Sequence, residues 1–318
     1  MAGDARPVGG PPLGAGAGRT GAGAGAAGRA AGVLRMTERV LAPMLSWQEF
    51  LDAARAPESI PDGEGRHGTA EWAGATWEEA LRLAVDGWHL PLQEQRITVG
   101  ALRERAGLGS PVMSLEPVWD VTGSEVDIGA CLAGEPECMV DSVPRQVSRR
   151  GKVVAFLIPA AYSHETPHGS VRNRGLALAA LCAALIEAGH GVEIWSGFTA
   201  RAGEDEVYSG VARVITPGEP LDVGRLIFAV AHPAMLRRLW LAVWDGQDAA
   251  TAAAFKAASY GRPPYTCRPG DLPGEVRDPY VFPYLDPGEL QWGDLDTALS
   301  WCRAMFAELG LIRGRGSR

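Results

Sequence analysis

One stretch of the chain concentrates its apolar positions, and the other elements arrange themselves around it. Val153 to Ile158 is an unbroken apolar run, the pattern of a strand covered on both faces. Pro159 ends it, because proline has no amide to give to a ladder. Alanine and leucine dominate from Val171 to Ala188, and every residue from Leu176 to Ile186 is apolar. That predicts a helix buried on more than one side and stopped at Gly189. Val192, Ile194 and Trp195 open a second strand. Strand, helix and strand form a right-handed crossover unit, in which ligands bind beyond the carboxyl ends of the strands. The ligand-facing loop is therefore expected at 159–170, rimmed by Arg172, Asn173 and Arg174.

Upstream, Ser46 with Glu49 and Thr76 with Glu79 have capping-box spacing. They predict helices over 47–55 and 76–86, and an amphipathic helix follows over 92–106. Residues 45–110 thus read as a helical accessory region. Short β-like pieces at 118–121 and 124–128 fall in a linker, 111–150. Downstream, a strand is expected over 207–215 and a helix capped by Asp222 over 223–231. Another helix starts at Pro233. Residues 241–244 read equally well as its continuation or as a strand ending at Asp245. An Ala-rich helix over 246–259, a strand at 280–282 and a closing helix from Leu295 complete the pattern. The expected class is α/β, a mostly parallel sheet flanked by helices in Rossmann-type layers, with the core in 111–318.

Composition adds limits. Residues 1–35 are Gly, Ala, Pro and Arg with few large apolar side chains, so an arm over 1–44 is expected to stay disordered. Met36 and Met44 are candidate translation starts. A net charge of −8 argues against a general nucleic-acid or membrane-surface binder. Five cysteines without a CxxC pair suit a reducing cytoplasm. Cys131 and Cys138 read as inert thiols, and Arg237 and Arg238 as a solvated helix face.

His164-Glu165-Thr166-Pro167-His168 matches HExxH. In metalloproteases that spacing puts two histidine ligands on one helical face with the glutamate as base. Here the match follows a strand, contains Pro167 and precedes Gly169, so its context is that of a loop.

The order strand, long helix, strand, antiparallel strand, helix resembles the von Willebrand factor A fold over about residues 150–246. The metal-binding Asp-x-Ser-x-Ser of that family falls on Pro159, Ala161 and Ser163. Only Ser163 matches, so the resemblance implies the architecture without the Mg²⁺ site. Asp245-Gly246 echoes a later Asp-Gly of the fold. Across residues 45–312 several phrases resemble an uncharacterised family of actinobacteria and their phages, a domain of unknown function. They include Trp77-Glu-Glu-Ala-Leu-Arg-Leu-Ala, Val126-Asp-Ile-Gly, Asn173-Arg174-Gly175 and His232-Pro-Ala-Met-Leu-Arg-Arg238. This resemblance implies a phage- or mobile-element-associated protein.

The expectation is a non-catalytic interaction or scaffolding module with a protein partner, no nucleic acid, no membrane and no cofactor. Its candidate ligand face is Ser163, His164, His168, Arg172, Asn173 and Arg174. The alternative is a zinc-dependent hydrolase with His164 and His168 as ligands and Glu165 as base.

Overall fold

Alternation along the central strands decides how the sheet is covered. In the computed structural model, β5 (Val153–Pro159) directs Phe156 and Ile158 to one core and Leu157 to another. The structure describes residues 37–107, 113–146, 152–160, 162, 165–203, 205–261, 267–308 and 310, with backbone only at 113–116 and 143–146. The expected arm therefore lies outside the described residues up to Met36.

The chain enters with β1 (Thr37–Val40), four residues inside the stretch expected to be disordered. It is ordered by pairing in parallel with β7 (Glu206–Ile215). Helices α1 (Trp47–Arg55), α2 (Glu64–His67), α3 (Ala70–Ala73) and α4 (Trp77–Asp86) follow. Ser46 Oγ accepts the Glu49 amide at 3.0 Å, and Thr76 Oγ1 the Glu79 amide at 3.1 Å, as the sequence predicts. The helix expected over 92–106 is two helices, α5 (Leu90–Glu94) and α6 (Val99–Arg105). Arg96 takes a left-handed φ of 48° between them, and Thr98 caps the second.

A separate small sheet holds β2 (Met113–Asp120), β3 (Glu125–Val126) and β4 (Met139–Gln146), ordered β2-β4-β3. The short helix α7 (Ile128–Ala133) links β3 to β4 and buries no residue. Around it Val118, Trp119, Val121, Val126, Ile128 and Leu132 are 41% to 84% exposed.

The main sheet has the order β1-β7-β6-β5-β8, with β6 at Gly191–Ala202 and β8 at Tyr280–Val281. Every neighbouring pair is parallel except β6 with β7. The crossover helix α8 spans His168–Glu187, and Gly189 turns out of it at φ 87°. Then come α9 (Val223–Ala231), a π-helical turn (Met235–Trp240), α10 (Leu241–Asp245), α11 (Ala249–Ala257) and α12 (Leu295–Glu308). Residues 241–245 thus continue the helix, and the Asp-Gly at its end follows no strand.

The helices share one large core with the first sheet face. The other face carries Leu157, Trp195 and Val211 beneath Cys267 and Leu272, and no α-helical residue belongs to that cluster. The layering is therefore α-helical on one face and irregular on the other, rather than helical on both. The upstream helices contribute to the large core as well. Trp47, Phe50, Leu83 and Leu102 belong to the common core.

Two buried charges fasten these helices. Arg238 is 2% exposed and donates to four carbonyls, Ala75 at 3.0 Å, Gly65 at 3.4 Å, Arg66 at 3.3 Å and Gly68 at 2.7 Å. It is not a solvated helix residue, because the 65–75 segment brings it a cage of carbonyl acceptors. Asp245, fully buried, accepts from Gly65 N at 3.0 Å and Tyr260 Oη at 2.7 Å. No single described helix is long and apolar enough to cross a membrane.

Candidate functional site

The chain runs from β5 to β6 and β7 on one side, then returns to β8 on the other. The switch point thus lies between β5 and β8, where open α/β sheets hold ligands. Here described residues bridge that crevice. Tyr162 bridges Leu285, and Thr166 Oγ1 donates to the Leu285 carbonyl at 3.3 Å.

The open space lies beside it, over the first turn of α8. A cleft of about 700 Å³ is bounded by the end of α4, residues 87–93, the start of α8 and the α9–Pro233 junction. Local sequence builds each wall. Gly87 ends α4 at φ 82°, and a methyl there would meet Gly224 Cα at 2.9 Å. That close approach lets Trp88 N donate to Gly224 O at 3.0 Å and sets the indole against His232. Pro233 cannot continue α9, so His232 becomes its last cap with φ −93° and ψ 130°.

His232 is 8% exposed and lines the cleft. Its Nδ1 accepts the Ala234 amide at 3.1 Å, so Nε2 carries the proton of the neutral ring. Among the described residues Nε2 has no hydrogen-bond partner. Burial, reinforced by nearby His168, lowers its pKa to about 4. At neutral pH it is a fixed donor and a poor base. Tyr162, 6% exposed, reaches the same cleft, and burial raises its pKa.

The start of α8 faces the same space. Pro167 holds its cap position and offers no side-chain acceptor. The His168 and Gly169 amides have no acceptor among the described residues. A Cβ on Gly169 would meet nothing within 4 Å. On the rim Glu79 pairs with Arg82 at 3.7 Å, and Arg172 pairs with Glu94.

The expected ligand face divides. His168 and Arg172 line the cleft. Asn173 and Arg174 do not. Asn173 is buried and donates to Trp292 O at 3.0 Å. Arg174 is 1% exposed; among the described residues it donates only to Val230 O at 3.5 Å and its Nε has no partner. Burial lowers its pKa to about 10, with Glu289 opposing the shift. Ser163 and His164 lie outside the described residues, and Glu165 is exposed in the turn before α8. Helix α8 begins only at His168, so residues 165–167 of the HExxH match precede it and are not helical. Glu187, the acidic residue that ends α8, lies about 28 Å from His168 at 1.5 Å per residue and pairs with Arg103, so it completes no site with that histidine. Among the described residues no three His, Cys, Asp or Glu side chains gather to hold a metal. His232, the floor of the cleft, carries no motif. Its signal was the His-Pro step ending α9.

Residues 25–313 match the family described as domain of unknown function DUF7192, and the chain belongs to that family. No curated protein and no solved structure matches it.

Proposed function

We propose that this DUF7192 member is a non-catalytic binding module. Its cleft over the start of α8 takes an oxyanion, carboxylate or phosphate, presented by a protein partner. One observation carries the reading. A buried, neutral His232, whose Nδ1 is taken by the Ala234 amide, lines the same cleft as the first turn of the uncapped helix α8. Helix N-terminal amides and their dipole favour anions. The rim charges Glu79, Asp86, Arg82 and Arg172 balance in sign and are screened by solvent. The desolvated floor therefore decides what binds. No Ser, Thr or Cys lines the cleft among the described residues, and His232 is too weakly basic to abstract a proton at neutral pH.

The order β5, α8, parallel β6, antiparallel β7, α9 supports a von Willebrand A-like origin without its metal motif. The sequence phrases support a phage or mobile-element setting. The buried free thiols of Cys182, Cys267 and Cys302 suit a reducing cytoplasm.

Calorimetric titration of the full chain with inorganic phosphate tests the reading. Saturable binding is expected, weakened in Arg172→Ala and lost in His232→Phe with the circular dichroism unchanged. No binding, or equal binding by His232→Phe, would overturn it.

A further inference from the structure

Away from the cleft, the small sheet brings two cysteines together. Cys131 lies in α7 and Cys138 immediately precedes β4. Both are tied by backbone to one residue. Asp127 N donates to Cys138 O at 2.8 Å, and Cys131 N donates to Asp127 O at 2.9 Å. Asp127 is itself fixed. Its Oδ1 accepts the Gly129 and Ala130 amides at 3.0 and 3.2 Å, and its Oδ2 accepts Trp119 Nε1 at 3.1 Å. Gly134, at φ 76°, caps α7 and turns the chain towards β4. The two thiols are neighbours, and the proximity of Cys131 keeps the Cys138 thiol above its ordinary range. Cys131 is exposed and Cys138 half-buried, while the other three cysteines are buried.

A metal explains the pair poorly. Zinc takes four ligands, and no third His, Cys, Asp or Glu joins these two among the described residues. Asp127 already spends both carboxylate oxygens on internal bonds.

We propose that Cys131 and Cys138 are an accessible dithiol that exchanges with small disulfides of the glutathione type and closes reversibly to tie α7 to β4. The Cys131 thiolate attacks one sulfur of the small disulfide, forming a mixed disulfide and expelling one thiolate, which takes up a proton. The Cys138 thiolate then attacks the Cys131 sulfur, expelling the second small thiol. The pair loses two electrons and two protons, and the small disulfide gains both. Exposed disulfides of this kind are the labile, regulatory ones, and such bonds occur transiently in reducing compartments. Closure would fix the exposed Ile128 and Leu132 against β4.

The folded full chain is incubated with glutathione disulfide, its free thiols are alkylated, and peptides are mapped by mass spectrometry. The wild type is expected to lose alkylation at Cys131 and Cys138 together and to yield one peptide pair linked through them, reopened by reduced glutathione. Cys182, Cys267 and Cys302 stay unmodified until the protein is unfolded. Cys138→Ser is expected to stop at a stable glutathione adduct on Cys131. The proposal is overturned if the wild type keeps both thiols, or if it accumulates the same unresolved adduct as Cys138→Ser. Both side chains sit outside the main core, so the variants report on exchange rather than on folding. The anion reading of the cleft is untouched by either result.

Discussion

The imidazole of His232 stands edge-on to the indole of Trp88, with ring centroids 4.5 Å apart and planes at 87°. The ring also stacks on Phe228, with centroids 5.3 Å apart. These aromatic neighbours bury the ring and favour its neutral form, and the residue lines the cleft.

That burial has a consequence for acid stability. In the folded chain His232 has a pKa of about 4, against 6.5 for the ordinary group. As pH falls, the unfolded chain takes up the proton first, so stability rises with pH across that window and falls as pH drops through it. The shift corresponds to about 3 kcal/mol in all, as an order of magnitude. His232→Phe cannot bind the proton. Urea unfolding at neutral pH and at about pH 4.5 should show a smaller acid loss in His232→Phe than in wild type. Identical losses would show that the ring is not desolvated in solution.

The two buried arginines should respond in opposite ways to the same substitution. Arg238→Met strips a charged donor from four carbonyls and should cost about 3 kcal/mol or more. Arg174 is buried and, among the described residues, has a single long hydrogen bond and an unpaired Nε. Replacing so poorly compensated a charge with an apolar side chain should leave stability within about 1 kcal/mol of wild type, or raise it. Chemical denaturation of both variants checks the contrast, and equal large losses would refute it.

Gly175 marks the closest packing of α8 on α9. A methyl there would meet Ala231 Cβ at 2.7 Å and Val230 Cγ2 at 3.4 Å. Alanine is the better helix former by about 1 kcal/mol, but overpacking costs about 1–3 kcal/mol. Gly175→Ala should therefore destabilise, and it should weaken phosphate binding by displacing the wall beside His232. A stabilised variant with unchanged binding would show that α9 yields freely.

The central crossover was legible because its signals are local. An apolar run ended by Pro159, and an apolar stretch closed by Gly189, need no partner to be recognised. Strand β1 was not legible, because Thr37-Glu-Arg-Val40 is short and polar and becomes a strand only beside β7. The break between α5 and α6 depends on Arg96 adopting a left-handed conformation, which an arginine does not advertise. Arg238 read as solvated because its acceptors come from residues 65–75, far away in the chain. The same holds for the site. His168 and Arg172 belong to the recognised loop and helix start, whereas His232 meets Trp88 only through tertiary packing.

The most direct test of the anion-binding cleft is nuclear magnetic resonance of the full chain with ¹⁵N-labelled histidine and backbone amides, titrated with inorganic phosphate. Free-state His232 is expected to carry its proton on Nε2. Phosphate should then shift that nitrogen together with the His168 and Gly169 amides, saturating with one common affinity. Phosphate shifts confined to other residues, or a His232 that stays unmoved while phosphate binds, would contradict it.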